Sequence, residues 1–271
     1  MMNKVKIDEK HNYTRTDDGK WLAGCSTISD ILPKPWLSAW GAKETVKFLG
    51  FSDYADDTKK ADEMLQKIKG LSLKQYQELL KEAKGASRKK SKDALIDGKA
   101  GHAWLETYVK AKMRGQPLPA LPGGLLDRPL TQFIAWEVAN VDTWILSEAR
   151  VADVDEEYAG TLDGAALMKT GKFAIIDYKF AQHIGYDYYL QCVGYALPFE
   201  KYGIQFDERI IVRLPKTELR EEYDKTTFTY SKVPNDIEIR IVDTDYAFDK
   251  ITFLAARRLQ KWINHLPQDN I

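Results

Sequence analysis

Two apolar stretches, Gly160-Thr161-Leu162-Asp163 and Ile176-Asp177-Tyr178-Lys179, each hold an aspartate where a sheet ordinarily takes valine or isoleucine. Strand side chains repeat with period two, so Asp177 and Lys179 project from one face. Thr170-Gly171 between the stretches predicts a hairpin turn, and pairing across it sets 163 opposite 177. Two opposed carboxylates repel each other. A divalent cation between them removes the repulsion and gives the pair a chemical use. The plainer alternative is an ordinary ion pair, Asp177 with Lys179, at a strand end, with Asp163 a turn residue before Gly164.

Other polar groups fall at helical spacing. His102 and Glu106 are i and i+4 on a helix whose apolar stripe includes Leu105 and Val109. Gln191 and Tyr195 are also i and i+4, with Tyr188 one turn earlier. The run 81–92, "KEAKGASRKKSK", holds Arg88, Lys89 and Lys90, and Arg213 and Lys216 follow a later strand. Both cationic groups can grip phosphates. A lysine-rich run is also read as a solvated face or a hinge. Trp36 and Trp40, in "PKPWLSAW", either stack on bases or pack a core.

The elements that must position these groups divide the chain into an N-terminal helical arm, 1–97, and an α/β core, 98–271. Helices are predicted over 36–49 and 57–69, the second with Met64, Leu65 and Ile68 on its apolar side. A third follows the capping box Ser72/Gln75. "GKAGHAWLETYVKAKMRG" predicts a helix ended by Gly115 and Pro117, and "RPLTQFIAWEVANV" another with proline in its first turn. Three strands come next, then a helix over "YDYYLQCVGYALPFEKYG", then the strands "ERIIVRLPK" and "DIEIRIVD". A last amphipathic helix uses Phe248, Ile251, Ala255, Leu259, Trp262 and Leu266. The fold class expected is α/β, a central mixed sheet flanked by helices on both faces.

Forty basic residues balance forty acidic ones, so net charge announces no nucleic-acid partner and any basic surface must be local. Cys25 and Cys192 lack CxxC spacing, which argues against zinc ribbons and disulfide scaffolds and suits a reducing compartment. No signal peptide or membrane span is legible, so a cytoplasmic protein is expected. Neither GxSxG nor a P-loop occurs, which removes nucleophile-elbow acyl transfer and ordinary NTP hydrolysis.

"GTLD", "IIDYK" and "QCVGY", with His102 in the helix ahead of them, together resemble the PD-(D/E)XK nuclease superfamily in its RecB-type exonuclease branch, over roughly residues 98–215. "STISDILPKPWLSAWGAK" also resembles the N-terminal region of phage-type and mitochondrial-type exonucleases of that branch. The resemblance implies a restriction-endonuclease-like core and a metal shell of His102, Asp163, Asp177 and the Tyr178 backbone carbonyl, for Mg²⁺ or Mn²⁺. It makes Asp163, Asp177 and Lys179 catalytic, with Lys179 orienting the attacking water. Glu106, Gln191 and Tyr195 are implied in support. The four cysteines of the iron–sulfur subgroup are absent, so no cluster is expected. The implied activity is a metal-dependent exonuclease acting on DNA ends in recombination, replication or repair, in a bacterial cell or phage-infected host. A homo-oligomer or a recombination partner protein is compatible with it. The alternatives are an inert nucleic-acid-binding or assembly module, and an endonuclease on the same fold.

Overall fold

The structure, a computed structural model, describes residues 5–8, 12–52, 58–224, 226 and 229–265. Leu266 and the Trp36 side chain lie outside that part. The chain forms two compact units. One comprises Met1–Pro33, Ala100–Glu218 and Asp236–Ile271, the other Lys34–Lys99 and Leu219–Asn235.

The larger unit is α/β. Its strands are β1 (Val5–Ile7), β2 (Tyr13–Arg15), β3 (Trp21–Gly24), β4 (Val141–Asp153), β5 (Tyr158–Met168), β6 (Phe173–Lys179), β7 (Glu208–Arg213) and β10 (Glu238–Ile241). Among the described residues they form one mixed sheet in the order β1-β2-β3-β5-β6-β7-β10, with β4 also on β5. The connection from β6 to the parallel β7 runs through helix α6 (Tyr186–Glu200), the βαβ arrangement that a parallel pair requires.

Because the sheet is covered on both sides, its strands read as apolar runs and feed two cores. On one face α1 (Cys25–Ser29), α6 and α7 (Tyr246–Asn264) bury Ile28, Val193 and Phe253 with Leu162 and Ile175. On the other, the C-terminal part of α4 (Leu73–Arg114) and α5 (Asp127–Asn140) bury Leu105, Tyr108 and Phe133 with Ile176 and Tyr178.

The first third of the chain is not wholly a helical arm. Val5, Tyr13 and Leu22 bury against Ala159, and β3 pairs with β5 in parallel. Strands of three or four residues carry too little pattern to be read without the sheet that stabilises them.

The smaller unit contains α2 (Trp36–Phe48), α3 (Lys59–Lys69), the start of α4, and the hairpin β8 (Leu219–Asp224) with β9 (Thr229–Pro234). Its α3 buries none of its residues, so the apolar side expected from Met64, Leu65 and Ile68 forms no core. Trp40 is half-buried. The capping box forms as predicted, Ser72 N–H donating to Gln75 Oε1 at 2.9 Å and Gln75 N–H to Ser72 Oγ at 3.4 Å. The helix it starts then runs unbroken for 42 residues. The basic run is therefore helical, not a hinge, and Arg88, Lys89 and Lys90 lie on an exposed stretch, Lys90 bonded to Glu44 at 2.9 Å. Gly115, at φ 61°, ends the helix as expected.

On α7 the buried residues are Asp249, Phe253, Ala256, Arg257 and Gln260. The described members of the stripe expected to face the core, Phe248, Ile251, Ala255, Leu259 and Trp262, are exposed instead. The core side is polar because it has specific partners: Arg209 donates to Asp249 at 2.6 Å, and Arg257 donates to the carbonyls of Glu156 and Glu157 at 3.0 and 2.8 Å. No described helix is long and apolar enough to cross a membrane.

Candidate metal centre

Two hairpins set the site. β5 and β6 pair in the predicted register, Gly164 with Ile176, which brings 163 level with 177. β4 and β5 pair Ser147 with Gly164 and Ala149 with Leu162, which brings 148 level with 163. Glu148, Asp163 and Asp177 thus occupy one row across three neighbouring strands. One edge of β5 is taken throughout by β4. The other is shared, by β3 at 158–159 and β6 at 164–167, leaving 160–163 between the two ladders.

Alternation breaks at this row. Leu162 and Ala165, three apart, both enter the core on the α6 face, and Leu146 and Ala149 do the same on β4. Glu148 takes φ 50°, a left-handed conformation that costs a non-glycine residue of order 1 kcal/mol. The break draws Asp163 and Glu148 out of the regular pleat, while β6 stays regular. Asp177 and Lys179 therefore remain on the face of Ile175, and Tyr178 on the face of Ile176.

α4 supplies the imidazole. A Cβ on Gly101 would lie 2.1 Å from the Phe180 ring, so only glycine lets the helix come this close to the end of β6. The next residue, His102, stands edge-on to Phe180 with centroids 5.5 Å apart, and its Nδ1 is 3.7 Å from Asp163 Oδ1. Ligand atoms of His102, Glu148 and Asp163 all lie within 4.8 Å of one another.

Asp163 joins this group to a second one. Its Oδ2 accepts the Tyr178 N–H at 2.7 Å. Fully buried Asp177 faces Lys179, whose Nζ is 2.8 Å from Oδ1 and 2.7 Å from Oδ2. Both carboxylate oxygens thus lie against the ammonium, the Oδ1 contact with hydrogen-bond alignment. Lys179 also lies over the Tyr188 ring, 5.0 Å from its centroid. Asp177 falls outside the three-residue cluster because the pleat sends it to the other face.

Electrostatics mark the row as strained. Burial raises the Asp163 carboxyl above its usual range, against the pull of Lys179 and the Tyr178 N–H. Asp177 is raised to about 6, chiefly by burial, with Lys179 opposing and Asp163 adding. Glu148 is raised to about 8 by burial, with Asp163 and Glu106 adding. His102 is lowered to about 4 by burial and by Lys179, so its imidazole is neutral and free to ligate. Burial also works against the charge on Lys179, but Asp177 and Asp163 outweigh it and keep the ammonium protonated.

The supporting residues divide. Gln191 Nε2 donates to the Tyr195 hydroxyl at 2.6 Å, and Tyr195 packs where Gly160 leaves no room for a Cβ. Glu106 accepts from Lys110 on its own helix. Arg213 is not a surface cation. It is 3% exposed, donating to Glu238 at 3.1 Å and to the Asp236 carbonyl at 2.8 Å, so its expected phosphate role is replaced by a clamp on β10. Lys216 is half-buried on the loop after β7.

Two features escaped sequence reasoning. Glu148 is one, although reflecting 163 through the turn at 154–157 gives 148. The other is a cavity of about 610 Å³ beside Glu148, walled by Lys110, Arg114 and Arg150 over Met113 and Ile145. The chain matches no known protein-family model and no curated protein.

Proposed function

We propose that this chain is a divalent-metal-dependent deoxyribonuclease that hydrolyses phosphodiester bonds from DNA ends, serving recombination, replication or repair. The observation that carries the reading is the meeting of two groups at Asp163: a His102–Glu148–Asp163 cluster, and a buried Asp177 paired with Lys179. Imidazole nitrogen with carboxylate oxygens suits Mn²⁺ and admits Mg²⁺. Three carboxyls held above their usual range fit a site that expects a cation. When bound, the ion supplies Lewis acidity and a water of lowered pKa.

Within this reading the chain's own groups have separate tasks. Asp163 bridges the two halves and is fixed by the Tyr178 N–H. Lys179 orients the attacking water and offsets negative charge developing on the phosphoryl oxygens. Lys110, Arg114 and Arg150 hold backbone phosphates in the cavity beside Glu148. No side-chain nucleophile is needed. The inert-module reading has less support, since such a module gains nothing from a row of like charges.

The direct test uses the purified full chain with end-labelled linear DNA, single- and double-stranded, and closed circular DNA, with Mg²⁺ or Mn²⁺. Linear DNA is expected to shorten from its ends while circles survive, and Asp163→Asn to be inactive. Intact linear DNA under all these conditions sinks the proposal, whereas cut circles convert it to an endonuclease. Arg114→Gln and Arg150→Gln are each expected to weaken DNA binding in chelator and to lower the slope of log affinity against log salt by about one. Unchanged slopes would move the phosphate track elsewhere.

A further inference from the structure

The N-terminal part of α4, within the smaller unit, lines its cations up on one side. At about 100° per residue, Lys74, Lys84, Arg88, Lys92 and Lys99 fall within an arc of about 80° and span about 38 Å of helix. All five are exposed, and among the described residues none of them makes a hydrogen bond or ion pair. Lys81 shares the arc but is held by Glu78 at 2.7 Å. Buried Leu79 and Ala83 lie on the opposite side of the helix. Over residues 34–99 fifteen basic residues stand against ten acidic ones, in a chain whose charges balance at zero.

A solvated helix face does not call for this arrangement. Such faces set acid and base four residues apart, where they support the helix. Lys84, Arg88 and Lys92 instead follow one another at i, i+4 and i+8, so each neighbouring pair is of like sign and weakens it. An anion laid along the arc reverses that repulsion.

We infer that this arc is a ridge for the phosphate backbone of a nucleic acid, bound without regard to sequence. A repeating line of unpaired cations matches a polymer whose charge repeats along its length. The narrow arc sets the contact along one strand, since a helix seated in a groove would need cations on both flanks to meet both backbones. An acidic protein surface offers no such repeat. A membrane would require an apolar side free to insert, and here that side is taken up by buried Leu79 and Ala83. The ridge adds a second contact to the nuclease reading without resting on it, because nucleic acid binds here whether or not the chain cuts it.

Fluorescence anisotropy on the full chain in chelator reads binding apart from cleavage. The probes are labelled single-stranded and duplex DNA of about 30 nucleotides, longer as duplex than the ridge at about 3.4 Å per step. The triple variant Lys84→Gln, Arg88→Gln, Lys92→Gln should bind at least about tenfold more weakly near 0.1 M salt, with its slope of log affinity against log salt lowered by about two to three. Lys60→Gln, Lys67→Gln and Lys69→Gln together remove the same charge from exposed positions on α3, and should shift that slope by less than about one half. All six positions are exposed, so the fold should survive, which circular dichroism checks. Equal losses in the two triple variants, or none in the α4 variant, overturn the inference. So does tighter binding to anionic vesicles or to polyglutamate than to DNA. A chain that binds DNA on the ridge yet never cuts it sinks the nuclease reading alone and upholds this one.

Discussion

Changing Glu148 to glutamine is expected to cut metal-dependent DNA cleavage by at least about a hundredfold, the scale at which a metal site loses affinity when one of its supports is removed. The same change is expected to steady the metal-free protein at alkaline pH. Glu148 stands level with Asp163, and its carboxyl is raised to about 8 against an unfolded value near 4.3. In the folded state it therefore binds a proton across a range where the unfolded chain does not. Stability from that difference is complete below about pH 4 and is lost as pH rises through about 8. Asp177, raised to about 6, adds a loss of the same sign at lower pH. Thermal unfolding in chelator should thus show wild-type stability falling from pH 5 to 9. In the glutamine variant the upper part of that fall should vanish. Added Mn²⁺ should reverse the fall in the wild type, since bound cation holds the carboxylates charged. A variant that Mn²⁺ stabilises as strongly as the wild type would remove Glu148 from the site.

Lys179→Met should be worse than a loss of activity. Cleavage is expected to drop by about a thousandfold, as when a preorganised charge stabiliser is removed from a transition state. The fold should also weaken, because Asp177 is completely buried and Lys179 is the cation bonded to it. Stripping one partner from a buried pair typically costs about 3–5 kcal/mol. Losing the ammonium lifts the Asp177 carboxyl further, so the variant should regain stability in mild acid, where that carboxyl takes up a proton. The double variant Asp177→Asn with Lys179→Met separates the two effects: urea unfolding should return toward the wild type, cleavage should not. Activity within tenfold of wild type in Lys179→Met would end its assignment as the residue that orients water.

Much of the core was legible because two of its rules are local. Thr170-Gly171 fixes one hairpin, and period-two counting from it places 163 opposite 177. Helical spacing put His102 and Glu106 on one face, but only the family resemblance made His102 a ligand; the turn signals around Ser72 and Gly115, read as parts of two helices, mark the two ends of the single helix α4. What stayed hidden needed the tertiary structure. Glu148 lies in "LSEAR", where a charged residue among other polar ones reads as the solvent face of a strand; its departure from the pleat shows only as a positive φ. That departure also explains why Asp163 and Asp177 share a level without sharing a face. The stripe on α7 was visible, but which side of the helix meets the core was not. Burial there is decided by Arg209–Asp249 and by Arg257 on a turn, contacts over 40 and about 100 residues of sequence. Arg213 misled for the same reason, its partners being Glu238 and Asp236.

Two tight turns, 154–157 and 169–172, act as the rulers of the centre. Each acid owes its level to the number of residues in one of them. A single residue added to either would slide a strand by half a pleat, sending its apolar side chains to the wrong face along with its acid. Length variation among descendants of this chain should therefore collect in the other loops and leave these two untouched, even though neither supplies a side chain to the His102–Glu148–Asp163 cluster.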